Sequence, residues 1–220
     1  GELDQTNADA IMQWLSANGA LYWTYTIMRM IGRVAFPIFC FLLVEGFLHT
    51  HDVKKYAMRL GLFALLSEIP FDLAFSSKIL EFNYQNVFFT LFIGLLTMIA
   101  YRAVEEKEEW NQALKVILYI LIVAAGMALA YFLKTDYAEK GVFCIMVLYI
   151  FRKKKMWQLI AGCASFIWET PALFGFIPIA FYNGTRGWKM KYFFYIFYPA
   201  HLLILYLLCY FMGISGYSAV

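Results

Sequence analysis

Runs of apolar residues, broken only by short polar clusters, recur from residue 34 to residue 212. A helix that crosses a bilayer needs about 20 mostly apolar residues, with a range of about 17–25. On that measure the chain predicts spans over 34–49, 56–75, 86–101, 114–133, 141–151, 157–168 and 192–212, with a short apolar segment at 174–182. An amphipathic approach segment, 21–33, precedes the first span. The segments 141–151 and 174–182 are too short to cross alone: they either extend through flanking polar residues or stop halfway as broken helices lining a cavity. The expected fold class is all-α, a polytopic helical membrane protein of about seven to eight membrane segments with one or two short or broken helices. Three regions follow: a polar non-cytoplasmic segment 1–20, a single transmembrane domain 21–213 and a short tail 214–220.

Composition agrees with this pattern. Hydrophobic residues fill 63% of the 220 positions and charged residues 15%, with a mean hydropathy of +0.65. A soluble domain has about 45–50% apolar and about 25% charged residues, and an aqueous fold of this size could not hide so much apolar surface. The lipid bilayer is therefore the expected first partner. Cys40, Cys144, Cys163 and Cys209 each sit inside an apolar run without the close pairing that a zinc or iron–sulfur site needs, so they read as packing residues and no metal is expected. The chain opens on Gly1 and a polar acidic stretch without the basic and apolar regions of a signal peptide.

The net charge of +3 is modest, and the Lys and Arg residues lie in short clusters between apolar runs, which excludes a nucleic-acid patch and suits a positive-inside signal. Loops holding Lys54 and Lys55, Arg102 and Lys107, Arg152 to Lys155, and Arg186 with Lys189 and Lys191 alternate with poorer loops around Lys78 and Lys134. The basic set is expected in the cytoplasm, and the 174–182 segment must then return the chain to that side. Tyr and Trp at span ends, such as Trp23, Trp110, Trp157 and Trp188, read as interfacial anchors.

Ionisable groups within spans are costly and therefore candidates for function. Arg29 and Arg33 stand four apart on one helical face, and Glu45 and His49 repeat the spacing beside Gly46. In the second span Glu68 and Asp72 flank Pro70, whose missing N–H kinks a helix and frees a carbonyl. Arg33 is expected to pair with Glu45 or Glu68, since an isolated cation there would be expensive. Trp168-Glu169-Thr170-Pro171 closes a span and reads as interfacial. The glycine-bounded loop around Asn183 and Arg186, followed by Lys189 and Lys191, offers backbone N–H groups and cations to an anion. His201 follows Pro199 inside the last apolar run, where imidazole can exchange protons near neutral pH.

These stretches resemble the TraX family of bacterial membrane proteins, which takes its name from a conjugation protein that acetylates the amino terminus of pilin. The resemblance runs from about Arg29 to Tyr210. Its patches are Ile31 to Pro37, Val44 to Phe47 with His49-Thr50, Ser67 to Asp72, Asn86 to Leu91, Asp136-Tyr137 with Gly141, Ile177-Pro178, Tyr182-Asn183-Gly184 and Tyr198 to Leu202. It implies a multi-pass protein of the bacterial inner membrane that moves an acetyl group from cytoplasmic acetyl-CoA to an amine or hydroxyl of an unidentified acceptor, a pilin-like amino terminus among the candidates. The family pattern opens with an apolar helix carrying an Asp-His pair ahead of the segment matching Arg29. This sequence has none, and with Gly1 in the place of a methionine the expectation is an upstream helix beyond it.

Acyl transfer needs a base for the acceptor's proton and donors for the oxyanion, which assigns His201, Arg33 and Glu45 as catalytic candidates. Asn183, Arg186, Lys189 and Lys191 are the candidates for the phosphates of acetyl-CoA. Arg29, His49, Glu68, Asp72, Asn86 and Tyr198 complete the expected polar pocket. Two further readings stay open: a transporter or flippase using Arg33, Glu45 and the kinked second span, and a non-catalytic component of pilus assembly.

Overall fold

The computed structural model describes residues 8–76, 81–185 and 191–211. Helix dominates them, with no β-strand among the described residues. The elements in order are α1 (Ala8–His49), α2 (Val53–Ser76), α3 (Val87–Glu105), α4 (Gln112–Phe132), α5 (Ala138–Ile150), α6 (Lys155–Ser165), a 3₁₀ helix (Thr170–Gly175), α7 (Phe176–Ala180) and α8 (Lys191–Phe211). By length and composition Tyr22–His49, Val87–Glu105 and Gln112–Phe132 are able to cross a membrane. Apolar backbone in lipid has no water to bond, so helices that satisfy their own N–H and C=O groups are the expected solution.

The starts are written locally. Asn86 caps α3 by accepting from Phe88 N at 3.0 Å, Asn111 caps α4 by accepting from Ala113 N at 2.9 Å, and Asp52 accepts from Lys55 N at 2.9 Å at the start of α2. Pro37, Pro70 and Pro199 all lie inside helices, the arrangement lipid tolerates best. The approach segment and the first expected span fuse into one helix of 42 residues. Counting about 20 residues back from His49 reaches Arg29, so the hydrocarbon boundary falls near Arg29 to Arg33 and the earlier turns of α1 lie beyond it.

The two short segments resolve differently. At 13 residues α5 is about 20 Å long, and it is wedged between α3, α4, α1 and α6 with Val142, Cys144, Ile145 and Leu148 fully buried. The 174–182 segment is a 3₁₀ helix running into α7 against α1, and it does return the chain: Lys155 Nζ at the start of α6 donates to Tyr182 O. Close approach at this joint needs a glycine, because a Cβ on Gly175 would stand 2.7 Å from the Val34 carbonyl oxygen. The shared core, to which α1, α2, α3, α5, the 3₁₀ helix and α7 all contribute, gathers Phe36, Val44, Phe47, Leu95, Met98 and Tyr149. Cys40 and Cys144 are fully buried free thiols within it.

The ends holding the basic loops are pinned by ion pairs, Arg152 to Glu105 at 2.6 Å and Arg102 to Glu106 at 2.9 Å. The opposite ends are joined through the backbone. Gln85 N donates to Lys134 O at 3.0 Å and Asp136 N to Gln85 O at 2.9 Å, which lashes the α2–α3 link to the α4–α5 turn. That turn bends through Lys134, Tyr137 and Ala138, all at positive φ.

Candidate functional site

Where those links meet, polar side chains from seven parts of the chain form one layer at the opposite end from the basic loops. The Arg33 guanidinium reaches Glu169 Oε2 at 3.1 Å and lies 5.8 Å from the centre of the Tyr137 ring. Tyr84 donates its hydroxyl to Asp136 Oδ1 at 2.5 Å, and Thr90, fully buried on α3, donates to the Asp136 carbonyl and stands 3.0 Å from the Thr135 hydroxyl. At the start of α3, the Asn86 side-chain amide donates to Glu68 Oε2 and, at 2.9 Å, to Ala64 O. Asp72 Oδ2 accepts from Glu81 N at 2.8 Å. From α8 the Tyr198 hydroxyl faces Val87 N–H, with Glu68, Tyr84 and Asp136 in electrostatic reach.

The expected partner of Arg33 is corrected here: it is Glu169, not Glu45 or Glu68. Glu45 stands twelve residues along the same helix, about 18 Å away, and Glu68 is engaged by Asn86. Glu68 and Asp72 likewise do not pair with each other, since each carboxylate takes its own donor. Of the two arginines on one face, Arg33 turns into the bundle while Arg29 donates to Tyr25 Oη at 2.8 Å on the exposed helix.

Outside the spans, burial sets the proton affinities. It raises the Asp136 carboxyl above its ordinary 3.8, against the pull of the Tyr84 hydroxyl and Arg33. Burial also pushes the Tyr137 phenol up to about 12, with Asp136 adding and Arg33 opposing, and raises Tyr84 for the same first cause. Both phenols therefore remain donors at neutral pH. A carboxyl raised on folding costs stability as the pH rises through its folded value, because the native state holds the proton more tightly than the unfolded chain. Asp136→Asn is expected to melt above the parent at pH 7, since its amide oxygen still accepts from Tyr84, and to lose that advantage toward pH 4. Melts in detergent across that range check it, and a constant difference would show that ionisation of Asp136 is not the cause.

His201, Arg33 and Glu45 do not come together. Glu45 belongs to the basic-loop end, with its Oε2 3.7 Å from His49 Nδ1 and the Tyr182 hydroxyl against it. His201 sits one turn past Tyr198, its ring stacked on Phe197 at 5.0 Å and its Nδ1 2.8 Å from Phe197 O. A carbonyl can only accept, so Nδ1 carries the proton and Nε2 holds the free lone pair. Asn183 Oδ1 is used locally, accepting from Thr185 N at 3.0 Å. Arg186 and Lys189 lie outside the described residues, as does the side chain of Lys191.

Glu169, Asp136, Tyr137, Tyr84 and Thr90 are the members of the layer that sequence reasoning did not assign to a site. Glu169 had a signal, a carboxylate beside Pro171 at the end of a short span, but nothing pointed it toward Arg33.

A family model described as TraX protein matches residues 17–209. A relative, "Probable fimbrial assembly protein FimC, serogroup H1" from Dichelobacter nodosus, is 28% identical over 214 residues, with 83% of each chain covered. No solved structure matches. The family match takes in α1 from its third turn onward and every later element through most of α8, and the chain belongs to the TraX family.

Proposed function

We propose that this protein is a multi-pass membrane acyltransferase of a bacterial cytoplasmic membrane that moves an acetyl group from acetyl-CoA to an amine, in the service of pilus assembly. The observation that carries this reading is the layer of ionisable side chains held at the hydrocarbon boundary by Arg33–Glu169, Tyr84–Asp136 and Asn86–Glu68. Spanning a bilayer requires none of them, and polar groups at that depth are expensive unless they serve chemistry. In the reaction the amine nitrogen attacks the thioester carbonyl, a C–N bond forms and the C–S bond breaks. His201 Nε2 takes the amine proton and returns it to the departing thiolate, while the hydroxyl of Tyr198, one turn away on α8, supplies a donor to the oxyanion.

The name of the Dichelobacter relative, a fimbrial assembly protein, favours a second reading in which the protein acts in pilus assembly without turnover. Reconstituted protein given radiolabelled acetyl-CoA and a pilin-like peptide with a free amino terminus separates the two. Label on the peptide amine supports transfer; peptide binding with no label supports assembly alone.

Orientation is part of the proposal, with the loops around Lys54, Lys107 and Lys153 in the cytoplasm. Cysteines placed at these three positions in a cysteine-free background are expected to react with an impermeant maleimide only after the membrane is opened. Labelling at position 153 in intact cells would reverse the topology.

A further inference from the structure

Among the described residues three buried side-chain polar atoms lack a hydrogen-bond partner, Arg59 Nε, Ser67 Oγ and Glu68 Oε1, and all three are on α2. Buried polar groups are almost always satisfied, so three on one helix ask for an occupant. Arg59, Phe63 and Ser67 recur every fourth residue, which makes one stripe of the helix. That stripe faces α8, where Tyr195 stacks on Phe63 at 4.8 Å and sets its hydroxyl against the Arg59 guanidinium. No carboxylate lies within ion-pair distance of Arg59 among the described residues; its near neighbours are the phenols of Tyr56 and Tyr195, and Asp52, at the start of α2, is in electrostatic reach. The other cation that turns inward at this end has an anion of its own, Arg152 with Glu105. Arg59 is therefore a cation in a helix seam with no carboxylate in contact, Asp52 acting on it only from longer range, and a guanidinium fits a phosphoryl group through paired N–H donors.

Arg59 lies less than two turns into α2 from the basic-loop end, while Ser67 and Glu68 stand at the polar layer. Eight or nine residues of helix separate them, about 12–14 Å. A phosphate anchor at one end and open polar atoms at the other suit an elongated acyl donor, charged at its head and reactive at its tail.

We propose that the seam between α2 and α8 is the acyl-donor site, with Arg59 holding a phosphoryl group of the donor and Ser67 and Glu68 lining the acyl end. This rests on the acyltransferase reading and adds to it a path from the cytoplasmic side to the polar layer, along which the Phe63–Tyr195 stack must part to admit the donor. A lipid headgroup carries the same phosphoryl chemistry, so the test includes both sources.

The experiment measures equilibrium binding of radiolabelled acetyl-CoA to the full-length protein in detergent for the parent, Arg59→Gln, Arg59→Lys and Arg102→Gln. In parallel, the stability of parent and Arg59→Gln is compared in nanodiscs of phosphatidylglycerol and of phosphatidylcholine. Arg59→Gln removes an unpaired charge, so its melt in detergent is expected at or above the parent's and reports that the fold is kept. Affinity for acetyl-CoA is expected to fall at least about tenfold in Arg59→Gln and less in Arg59→Lys, with Arg102→Gln within about twofold of the parent. Parental binding by Arg59→Gln, or an equal loss in Arg102→Gln, overturns the site and leaves the acyltransferase reading standing. No acetyl-CoA binding by the parent overturns both. In that case, stabilisation by phosphatidylglycerol that depends on Arg59 would assign the seam to a lipid headgroup.

Discussion

Replacing His201 with glutamine is expected to leave acetyl-CoA binding at the parental level and to slow acetyl transfer by about 10²–10⁴-fold, the usual worth of a general base. The geometry supports a specific version of that role. Because Nδ1 is committed to the Phe197 carbonyl at 2.8 Å, the ring is held in one tautomer with Nε2 as the proton acceptor. Glutamine can repeat the bond to Phe197 O through its amide N–H but has no basic atom. Structure is thus largely retained and chemistry is not. A histidine that served only packing would instead move binding and rate together, and its loss would cost a few-fold. If His201→Gln transfers at the parental rate, the base is another group, and the candidates nearest Tyr198 are Glu68 and Asp136.

What the sequence could say about this layer depended on range along the chain. Helices follow from local composition, so α2, α3 and α4 lie close to their expected spans, and the caps at Asn86 and Asn111 are one-residue statements. The patches Ser67 to Asp72 and Asn86 to Leu91 were each recognisable, but only the fold shows that Asn86 spends its amide on Glu68. Pairings across many elements had no local mark. Arg33 and Glu169 are 136 positions apart, and they meet because Gly175 lets the 3₁₀ helix press on Val34 and Pro37. Apolar periodicity does not encode which helix end will carry such a glycine-tight joint. The length of α1 was hidden for a related reason: residues 8–20 are too polar to resemble a span, yet helix continues through them.

Breaking the Arg33–Glu169 pair is expected to lower stability more than any other single change in the layer. Removing one partner of a fully buried ion pair costs about 3–5 kcal/mol, because the other charge is left without compensation. Here the side chains retain 31% and 21% exposure, so solvent screens part of the loss and about 2 kcal/mol is the reasonable scale for Arg33→Ala. The pair is also the polar clasp between α1 and the joint after α6, and Arg33 draws Tyr137 into the same contact. Glu169→Gln keeps shape and removes charge, so it should cost less than Arg33→Ala. The double variant should lose less than the sum of its parts, since neither charge is then stranded. Titration with a denaturing detergent, read by the loss of helical circular dichroism, measures all four corners of the cycle. Strict additivity, or an Arg33→Ala midpoint equal to the parent's, would mean that the contact is incidental and that α1 is held to the 3₁₀ helix by apolar packing around Gly175 alone.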